Sequence, residues 1–239
     1  MDLKDKAVLV AGGAGGIGLG VAQALAAEGC KVAVADESEE ALNDAVKSES
    51  LVGRRCDVTD RAQVAELLDW FAKEVGSIDI LVNSAGINVG NRMMTNIDPV
   101  DFDRVMAVNT TGTFNCIYAA LPVMRDKGVG LIVNIVSLAG LRVMLLAGMP
   151  YCVSKFATGA LGTFVNLEEA TNGIKVTNIY PGETNTPIVD KRPTPPPPEK
   201  RAAMLQPEDI AACVVAVAKL PPRAVVPELV ITPPHMMVG

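Results

Sequence analysis

The segment YCVSK, from Tyr151 to Lys155, places a phenol and an ammonium group four residues apart. On a helix this spacing puts both side chains on one face, one turn from each other. A free tyrosine has a pKa of about 10, and a nearby ammonium favours the phenolate and so lowers that pKa. The pair therefore predicts an acid–base group, although a tyrosine alone is equally typical of an ordinary helix face.

A second candidate is Ser137, which ends the apolar run GLIVNIVS (130–137), fourteen residues before Tyr151. A hydroxyl at the end of a strand can hydrogen-bond a substrate oxygen and stabilise the charge that develops on it. Serine is also common in turns that follow strands. Ser137 alone does not indicate a catalytic role, but its occurrence together with Tyr151 and Lys155 does.

The glycine-rich segment AGGAGGIG (11–18) directly follows one strand-like run and opens a helix-like segment. Residues without Cβ atoms let the backbone turn tightly and approach a pyrophosphate at a helix N-terminus, so the segment predicts a dinucleotide site. Two glycine spacings fit at once, GxGxxG (Gly13, Gly15, Gly18) and GxxxGxG (Gly12, Gly16, Gly18).

Asp36 ends the next strand-like run, KVAVAD (31–36). Its carboxylate can accept hydrogen bonds from a ribose diol and would repel a 2′-phosphate, and its neighbours Glu37 and Ser38 supply no cation to offset that repulsion. We therefore expect NAD(H) rather than NADP(H). Asp36 is also a candidate helix N-cap, a role that is compatible with ribose binding but does not by itself explain the spacing.

Strand-like and helix-like segments alternate along the whole chain. The predicted strands are 6–12, 31–36, 51–58, 78–86, 130–137, 173–182 and 225–232. The predicted helices are 17–29, 38–49, 61–76, 98–127, 151–170 and 207–219. Strands that are apolar on both faces and alternate with helices predict an α/β fold with a Rossmann-like, doubly wound, mainly parallel seven-stranded sheet. We expect helices on both faces of the sheet and a single domain over 1–239.

The composition limits the classes of function. The net charge of −6 disfavours nucleic-acid binding, because an acidic chain repels phosphate backbones. The chain has no run of eighteen apolar residues, so we expect no membrane span. The N-terminal segment shows no signal-peptide pattern, and we therefore expect a cytoplasmic protein. The single histidine, His235, argues against a histidine triad and a zinc site. The cysteines are odd in number and form no CxxC pair, which argues against disulfides and a cysteine metal site.

The segment 187–206 carries a proline-rich stretch, PIVDKRPTPPPPEK (187–200). Four consecutive prolines, Pro195–Pro198, are expected to exclude helix and sheet and to favour an extended polyproline conformation. Its place after the strand 173–182 favours a lid over a substrate site. A stiff surface linker or an SH3-type ligand is the alternative.

The sequence resembles the classical short-chain dehydrogenases/reductases over nearly its whole length, from Lys4 to about Thr232. The resemblance rests on motifs in the right order: AGGAGGIG (11–18), CDV (56–58), NSAG (83–86), VN (108–109), VS (136–137), YCVSK (151–155) and PGETNT (181–186). It implies a catalytic set of Asn109, Ser137, Tyr151 and Lys155, with Asn109 holding a water in a proton relay from Lys155.

The resemblance also implies the residues that bind the cofactor. Besides Tyr151 and Lys155, they are Gly12, Gly15, Gly16, Ile17, Gly18, Asp36, Asp57, Val58, Asn83, Ala85, Gly86, Pro181, Gly182, Thr184 and Thr186. Three positions depart from the usual pattern: Ala11 replaces a common Thr, Ser84 a common Asn and Thr184 a common Val. All four catalytic residue types are nevertheless present.

These observations together predict an NAD-dependent alcohol dehydrogenase/ketoreductase that acts on a small-molecule secondary alcohol or ketone. The apolar loop LRVMLLAGMP (141–150) hints at a hydrophobic substrate, with Arg142 as its one cation; hydroxy acids, sugars and polyols stay open. Two alternatives are a catalytically silent NAD(H)-binding sensor or scaffold, and an epimerase or dehydratase. The resemblance further implies a homo-oligomer, a tetramer or a dimer, in which the helices 98–127 and 151–170 pair between subunits.

Overall fold

The computed structural model describes residues 2–48 and 50–236. Its sheet consists of Ala7–Ala11 (β1), Lys31–Asp36 (β2), Leu51–Arg55 (β3), Ile80–Asn83 (β4), Gly130–Ile135 (β5), Ile174–Pro181 (β6) and Glu228–Ile231 (β7). The helices are Gly16–Ala27 (α1), Glu39–Ala45 (α2), Arg61–Glu74 (α3), Pro99–Met106 (α4), Thr113–Lys127 (α5), Met149–Glu168 (α6), Pro198–Ala202 (α7) and Pro207–Ala218 (α8).

The seven strands form one sheet in the order β3-β2-β1-β4-β5-β6-β7, and every neighbouring pair runs parallel. Each β-strand connects to the next through a helical crossover, as parallel strands require. The strand order reverses between β1 and β4, which is where doubly wound sheets leave a crevice for ligands. The predicted Rossmann-like seven-stranded sheet is confirmed.

Two apolar layers cover the two faces of the sheet. On one face Val8 and Val10 pack with Leu25 of α1 and Val214 of α8. On the other face the helices α3, α5 and α6 contribute Leu67, Ile117 and Val165, among others. A fully buried side chain such as Leu67 contributes about 1.5–3 kcal/mol relative to an exposed one. These layers hold the ends of the strands, and therefore the loops above them, in fixed positions.

The helix predicted over 98–127 is not continuous. A π-helical segment, Ala107–Gly112, separates α4 from α5. A Cβ atom at Gly112 would lie 2.5 Å from a methyl group of Val58, so the chain passes very close to the end of β3 here. Extra residues in a helical turn re-aim side chains, and such turns are frequent at functional sites. The interruption matters because Asn109 lies within it.

The expectation that Pro195–Pro198 exclude helix is wrong at its last residue. Pro198 begins the short helix α7, since a proline at the first helical position loses no hydrogen bond and has a suitable φ angle. Pro195–Pro197 lie outside regular secondary structure, as expected. Within the described part of the chain, none of the helices has the length and apolarity that a membrane crossing requires.

Candidate active site

A cavity of about 410 Å³ opens where the strands end. Its walls come from the residues that directly follow β1 to β6, together with the loops 84–92, 136–151 and 181–192. All of these strands are parallel, so their carboxyl ends meet at the same edge of the sheet. Most of the residues predicted to bind a cofactor lie in these walls: Gly12, Gly15, Gly16, Ile17, Asp36, Asp57, Val58, Ala85, Gly86, Tyr151, Lys155, Pro181, Gly182, Thr184 and Thr186.

The loop between β1 and α1 has little room for side chains. Gly12 and Gly16 have positive φ angles of 73° and 52°, which other residues rarely adopt. A Cβ atom at Gly18 would lie 2.0 Å from the Gly12 carbonyl oxygen, so Gly18 serves the packing of α1 on the loop and is not in the cavity wall. The GxxxGxG spacing therefore describes the backbone better than GxGxxG does.

Gly15 differs from these glycines, because no heavy atom lies within 4 Å of a Cβ atom built on it. It is the residue that precedes the first turn of α1, and its φ of −161° is ordinary extended backbone. The N-terminus of α1 therefore faces open space. The first amide groups of a helix carry a partial positive charge and lack internal partners, so this space suits an anion such as a pyrophosphate.

Asp36 lies at the end of β2 beside the glycine loop. Its carboxylate accepts hydrogen bonds from the amides of Ala14 (3.3 Å) and Ser38 (3.2 Å). The N-cap of α2 is Ser38, whose hydroxyl accepts from the amide of Ala41. The candidate role of Asp36 as the helix cap is therefore wrong.

One cation near Asp36 was not expected from its sequence neighbours. Arg55 stands opposite Asp36 in the register of β2 and β3. The Arg55 Nε donates to the carbonyl of Glu37 at 3.1 Å, and the side chain is largely exposed. Asp36 and Glu37 line the cavity, whereas Arg55 is outside its wall.

Asn83, predicted to bind the nucleotide, lies below the cavity in the sheet. Its amide donates to Asn134 Oδ1 at 2.9 Å, the Asn134 amide donates to Asn178 Oδ1 at 3.0 Å, and the Asn178 amide donates to the carbonyl of Gly159 at 2.9 Å. These three buried asparagines face one another on β4, β5 and β6. The row ties the sheet to α6, and the loop Ser84–Gly86 that follows Asn83 forms the cavity wall.

The predicted catalytic residue Asn109 is fully buried behind the cavity wall. Its Oδ1 accepts from the amide of Ile87 at 2.8 Å, and its Nδ2 donates to the Ile87 carbonyl and to the Ser154 hydroxyl, both at 3.0 Å. Both N–H groups of the amide are therefore used within the protein. The contacts show that Asn109 joins the loop after β4 to α6; a water held for a proton relay stays a prediction.

Ser154, for which the sequence indicated no role, is part of this connection. It is fully buried, and its hydroxyl donates to the Tyr151 carbonyl at 2.8 Å while accepting from Asn109. Ser154 lies three residues after Tyr151, on the side of α6 that faces the π-helical segment Ala107–Gly112. No feature of the sequence distinguishes it from a serine that merely packs.

Ser137, Tyr151 and Lys155 lie together in the cavity wall. The Lys155 Nζ donates to the Ile135 carbonyl at 3.0 Å and lies 5.6 Å from the centre of the Tyr151 ring. Burial lowers the pKa of Lys155 to about 8. The predicted spacing on one helix face is thus observed, since α6 carries both residues.

The expected lowering of the Tyr151 pKa relies on the Lys155 ammonium together with an oxidised nicotinamide, so for the cofactor-bound chain it stays a prediction. Without cofactor, burial raises the pKa of Tyr151 to about 12. The hydrogen bond with Ser137 lowers this pKa, but by less than burial raises it. Removal from water disfavours the charged phenolate. In the cofactor-free chain the phenol is therefore protonated at neutral pH, and an added positive charge would be needed to stabilise the phenolate.

The remaining walls of the cavity are mostly apolar, with three charged residues among them. Met144, Leu146 and Ala147 contribute from the loop before α6, and Ile188 and Val189 from the segment after β6. The charged residues are Arg92, Glu183 and Arg192, none of which the sequence singled out. Arg142 is exposed and outside the wall.

No group of three or more histidine, cysteine, aspartate or glutamate side chains among the described residues is arranged to hold a metal ion. The cysteines Cys30, Cys56, Cys116, Cys152 and Cys213 are free thiols. Burial raises the pKa of Cys56, beside the cavity, to about 11. A thiol of this kind is a poor nucleophile at neutral pH.

Known proteins resemble this chain over most of its length. A family model described as short chain dehydrogenase matches residues 6–196. An uncharacterized oxidoreductase of Staphylococcus saprophyticus is 32% identical over 98% of this chain and 99% of its own length. A 3alpha-hydroxysteroid dehydrogenase of Mediterraneibacter gnavus is 32% identical over 81% of this chain and 79% of its own. A glycine betaine reductase of Emericella nidulans is 34% identical over 97% of this chain, which spans only 19% of that protein.

Two solved structures share the fold closely. The closed form of serine dehydrogenase complexed with NADP+ has a TM-score of 0.88 and 27% identity, over 97% of this chain and 96% of that one. An actinorhodin polyketide ketoreductase with NADPH has a TM-score of 0.87 and 28% identity, over 95% of this chain and 96% of that one.

Proposed function

The chain belongs to the short-chain dehydrogenase family of oxidoreductases, and we propose that it interconverts a secondary alcohol and a ketone with NAD(H). One observation carries the proposal. A single cavity joins the glycine loop and Asp36 to Ser137, Tyr151 and Lys155. A cofactor and a proton-transferring group are the two parts that this reaction needs.

The residues present fit a dinucleotide. The open space at Gly15 meets the N-terminus of α1, which suits a pyrophosphate. Asp57 and Val58 line the wall where an adenine would lie by family resemblance, and Pro181, Gly182, Thr184 and Thr186 line the wall expected for the nicotinamide. When bound, NAD(H) would supply or accept the hydride.

NAD(H) is preferred to NADP(H) in this proposal because the charged side chains that line the cavity at the end of β2 are both negative. Asp36 and Glu37 both face the cavity, and a 2′-phosphate beside two carboxylates is repelled. The Nε of Arg55 is held by a backbone carbonyl. Similar structures contain NADP+ or NADPH, so support for this preference comes from the residues of this chain alone.

Tyr151 would transfer the proton. A protonated phenol is the form that ketone reduction requires, because the alkoxide formed after hydride transfer takes a proton from it. Ser137 would hydrogen-bond the substrate oxygen and stabilise its developing charge. The Lys155 ammonium, held by the Ile135 carbonyl, would stabilise the phenolate left on Tyr151. In the oxidation direction the same phenolate would act as the base.

A homo-oligomer is also proposed, as a tetramer or a dimer. The large apolar side chains of Phe156, Phe164 and Leu167 are exposed on α6, and that of Tyr118 is exposed on α5. Exposed apolar residues on neighbouring helices are typical of an interface between subunits. Light scattering of the purified chain would test this, and a monomer at micromolar concentration would exclude it.

The proposed activity is tested by following NADH absorbance with a panel of secondary alcohols, ketones, hydroxy acids and polyols, using NAD+ or NADP+ and the reduced forms. We expect turnover of at least one alcohol–ketone pair, with NAD(H) the better cofactor. Tight NADH binding without turnover of any member would instead support a catalytically silent sensor or scaffold.

A further inference from the structure

Arg92 is a buried cation in the cavity wall, and only 4% of its surface is exposed. It lies in the part of the wall that also includes Leu146 and Arg192, which we call the substrate end. Its guanidinium donates to three backbone carbonyls: Nε to Gly90 at 3.4 Å, Nη1 to Leu146 at 3.3 Å and Nη2 to Lys191. These partners come from three different loops. All of them are neutral, so the positive charge has no hydrogen-bonded anion.

The charged groups around Arg92 do not compensate for it. Arg192 lines the same cavity and forms an ion pair with Glu183 at 2.9 Å; His235 also contacts Glu183, at 3.4 Å. No carboxylate among the described residues forms an ion pair with Arg92. Two arginines and one glutamate therefore leave one uncompensated positive charge at this end of the cavity.

A buried cation of this kind is costly unless an anion meets it. Removing a guanidinium from water costs free energy, and neutral carbonyls repay less than a carboxylate does. Joining three loops takes three N–H groups, and a neutral amide side chain supplies only two. The loop contacts therefore explain three of the five N–H groups of Arg92, and they leave its positive charge without an anion.

We propose that Arg92 binds a carboxylate of the substrate, so that the enzyme acts on an oxo acid and the corresponding hydroxy acid. The guanidinium has five N–H groups, and three are used. One N–H remains on each terminal nitrogen, which matches the two oxygens of a carboxylate. The carbonyl oxygen of Arg92 accepts from the amide of Met149, the first residue of α6, at 2.9 Å, so Arg92 is anchored two residues from Tyr151.

This inference rests on the proposed function and names its substrate class. The distance between the bound carboxylate and the reacting carbon is tested by varying the chain length. Pyruvate, 3-oxobutanoate and 4-oxopentanoate place the ketone one, two or three bonds from the carboxyl carbon, and their methyl esters are matched neutral substrates. The measurement is kcat/KM for each acid and its ester with NADH at pH 7.

We expect at least one acid to exceed its ester in kcat/KM by about tenfold or more, and Arg92→Gln to reduce that acid-to-ester ratio by about 10- to 100-fold. Arg92→Lys, which keeps the charge and loses the paired donors, should give an intermediate ratio. Arg142→Gln is the matched control: Arg142 lies in the neighbouring loop outside the cavity wall, so the ratio should not change.

Two outcomes would overturn the inference while leaving the proposed function intact. One is equal use of acids and esters by the unaltered protein. The other is an equal loss on both substrates in Arg92→Gln, which would make Arg92 a residue that only joins loops. Thermal unfolding of each variant establishes whether it folds.

A binding measurement separates failure of the inference from failure of the proposed function. The same acids are titrated into the NAD+-saturated protein while its melting temperature is followed, since a ligand that binds only the folded state raises it. Stabilisation of the unaltered chain but not of Arg92→Gln, without any turnover, would support the carboxylate site and refute the reaction. An absence of stabilisation together with an absence of acid turnover would overturn the inference.

Discussion

The two ends of the cavity are built in different ways. The end at the glycine loop, which is proposed to bind the nucleotide and is called the nucleotide end below, is made largely of backbone. Gly12, Gly16 and the first turn of α1 leave a space there that side chains do not enter. The substrate end is made of side chains from loops that are distant in sequence, and Arg92 alone contacts Gly90, Leu146 and Lys191. One end is shaped by a local motif, whereas the other depends on contacts over as many as 99 residues.

This difference indicates which substitutions each end tolerates. A methyl group added at Gly12 or Gly18 meets backbone atoms that cannot easily move aside. A side chain replaced at the substrate end changes which molecule fits and leaves the sheet unchanged. Tyr151 and Lys155 lie between the two ends, so substitutions there should separate the chemistry from both kinds of binding.

The largest effect is expected from Tyr151→Phe. Without the hydroxyl no proton reaches the substrate oxygen, so kcat should fall by about 10²- to 10⁴-fold. NADH binding, followed by fluorescence titration, should change little because the nucleotide end is untouched. Tyr118→Phe is the control, since Tyr118 is an exposed tyrosine on α5. Retained activity in Tyr151→Phe would refute its role as the proton donor.

Gly18→Ala and Gly15→Ala test whether the nucleotide end is shaped by backbone. At Gly18 the new methyl group would lie 2.0 Å from the Gly12 carbonyl oxygen, and at Gly15 it meets no atom within 4 Å. Gly18→Ala should lower the free energy of unfolding by about 1–3 kcal/mol. Gly15→Ala should leave that free energy nearly unchanged and weaken only NADH binding. Equal stability of the two variants in urea would contradict this account.

Asp36→Asn tests the charge at the nucleotide end while keeping the shape of the side chain. We expect the ratio of kcat/KM for NAD+ to that for NADP+ to fall by about tenfold, because repulsion of the 2′-phosphate is reduced. Glu39→Gln is the charge-matched control, because Glu39 is the first residue of α2 and lies outside the cavity wall. An unchanged ratio in Asp36→Asn would exclude Asp36 as the selecting residue.

Arg201→Ala should have the smallest effect and is confined to the substrate end. Arg201 ties the segment 187–206 together by an ion pair with Asp190 and by donating to Asn185 Oδ1 (3.3 Å) and the Pro196 carbonyl (3.2 Å). If that segment is a lid, KM for the substrate should rise by about threefold to tenfold with NADH affinity nearly constant. The exposed neighbour Lys200, changed to Ala, is the control. An unchanged KM would favour a surface linker.

The sequence predicted the sheet and the glycine loop that lines the cavity, because both depend on short-range patterns. Apolar runs of one strand's length, and glycines placed directly after such a run, are visible within a few residues. The register of β4, β5 and β6 and the interruption of the helix 98–127 depend on tertiary contacts, so they were not visible.

Three residues show which features around the cavity could not be predicted from the sequence. Arg92 follows no motif and is buried only because three loops meet around it. Ser154 lies inside the recognised YCVSK segment, yet its contact with Asn109 spans 45 residues. Arg55 approaches Asp36 only through the pairing of β2 with β3. Each of these residues has at least one partner that is remote in sequence, so spacing along the chain carries no signal for that contact.

The asparagine row of β4, β5 and β6 has a direction. Each amide nitrogen donates toward α6, from Asn83 to Asn134, to Asn178 and on to the Gly159 carbonyl. Turning one internal amide around would set nitrogen against nitrogen on one side and oxygen against oxygen on the other. The three side chains therefore share a single orientation. Helix α6 packs directly on this row, because a Cβ atom at Gly162 would lie 2.1 Å from Asn178 Oδ1 and only glycine fits there. The asparagine row therefore determines how the helix that carries Tyr151 and Lys155 packs against the sheet.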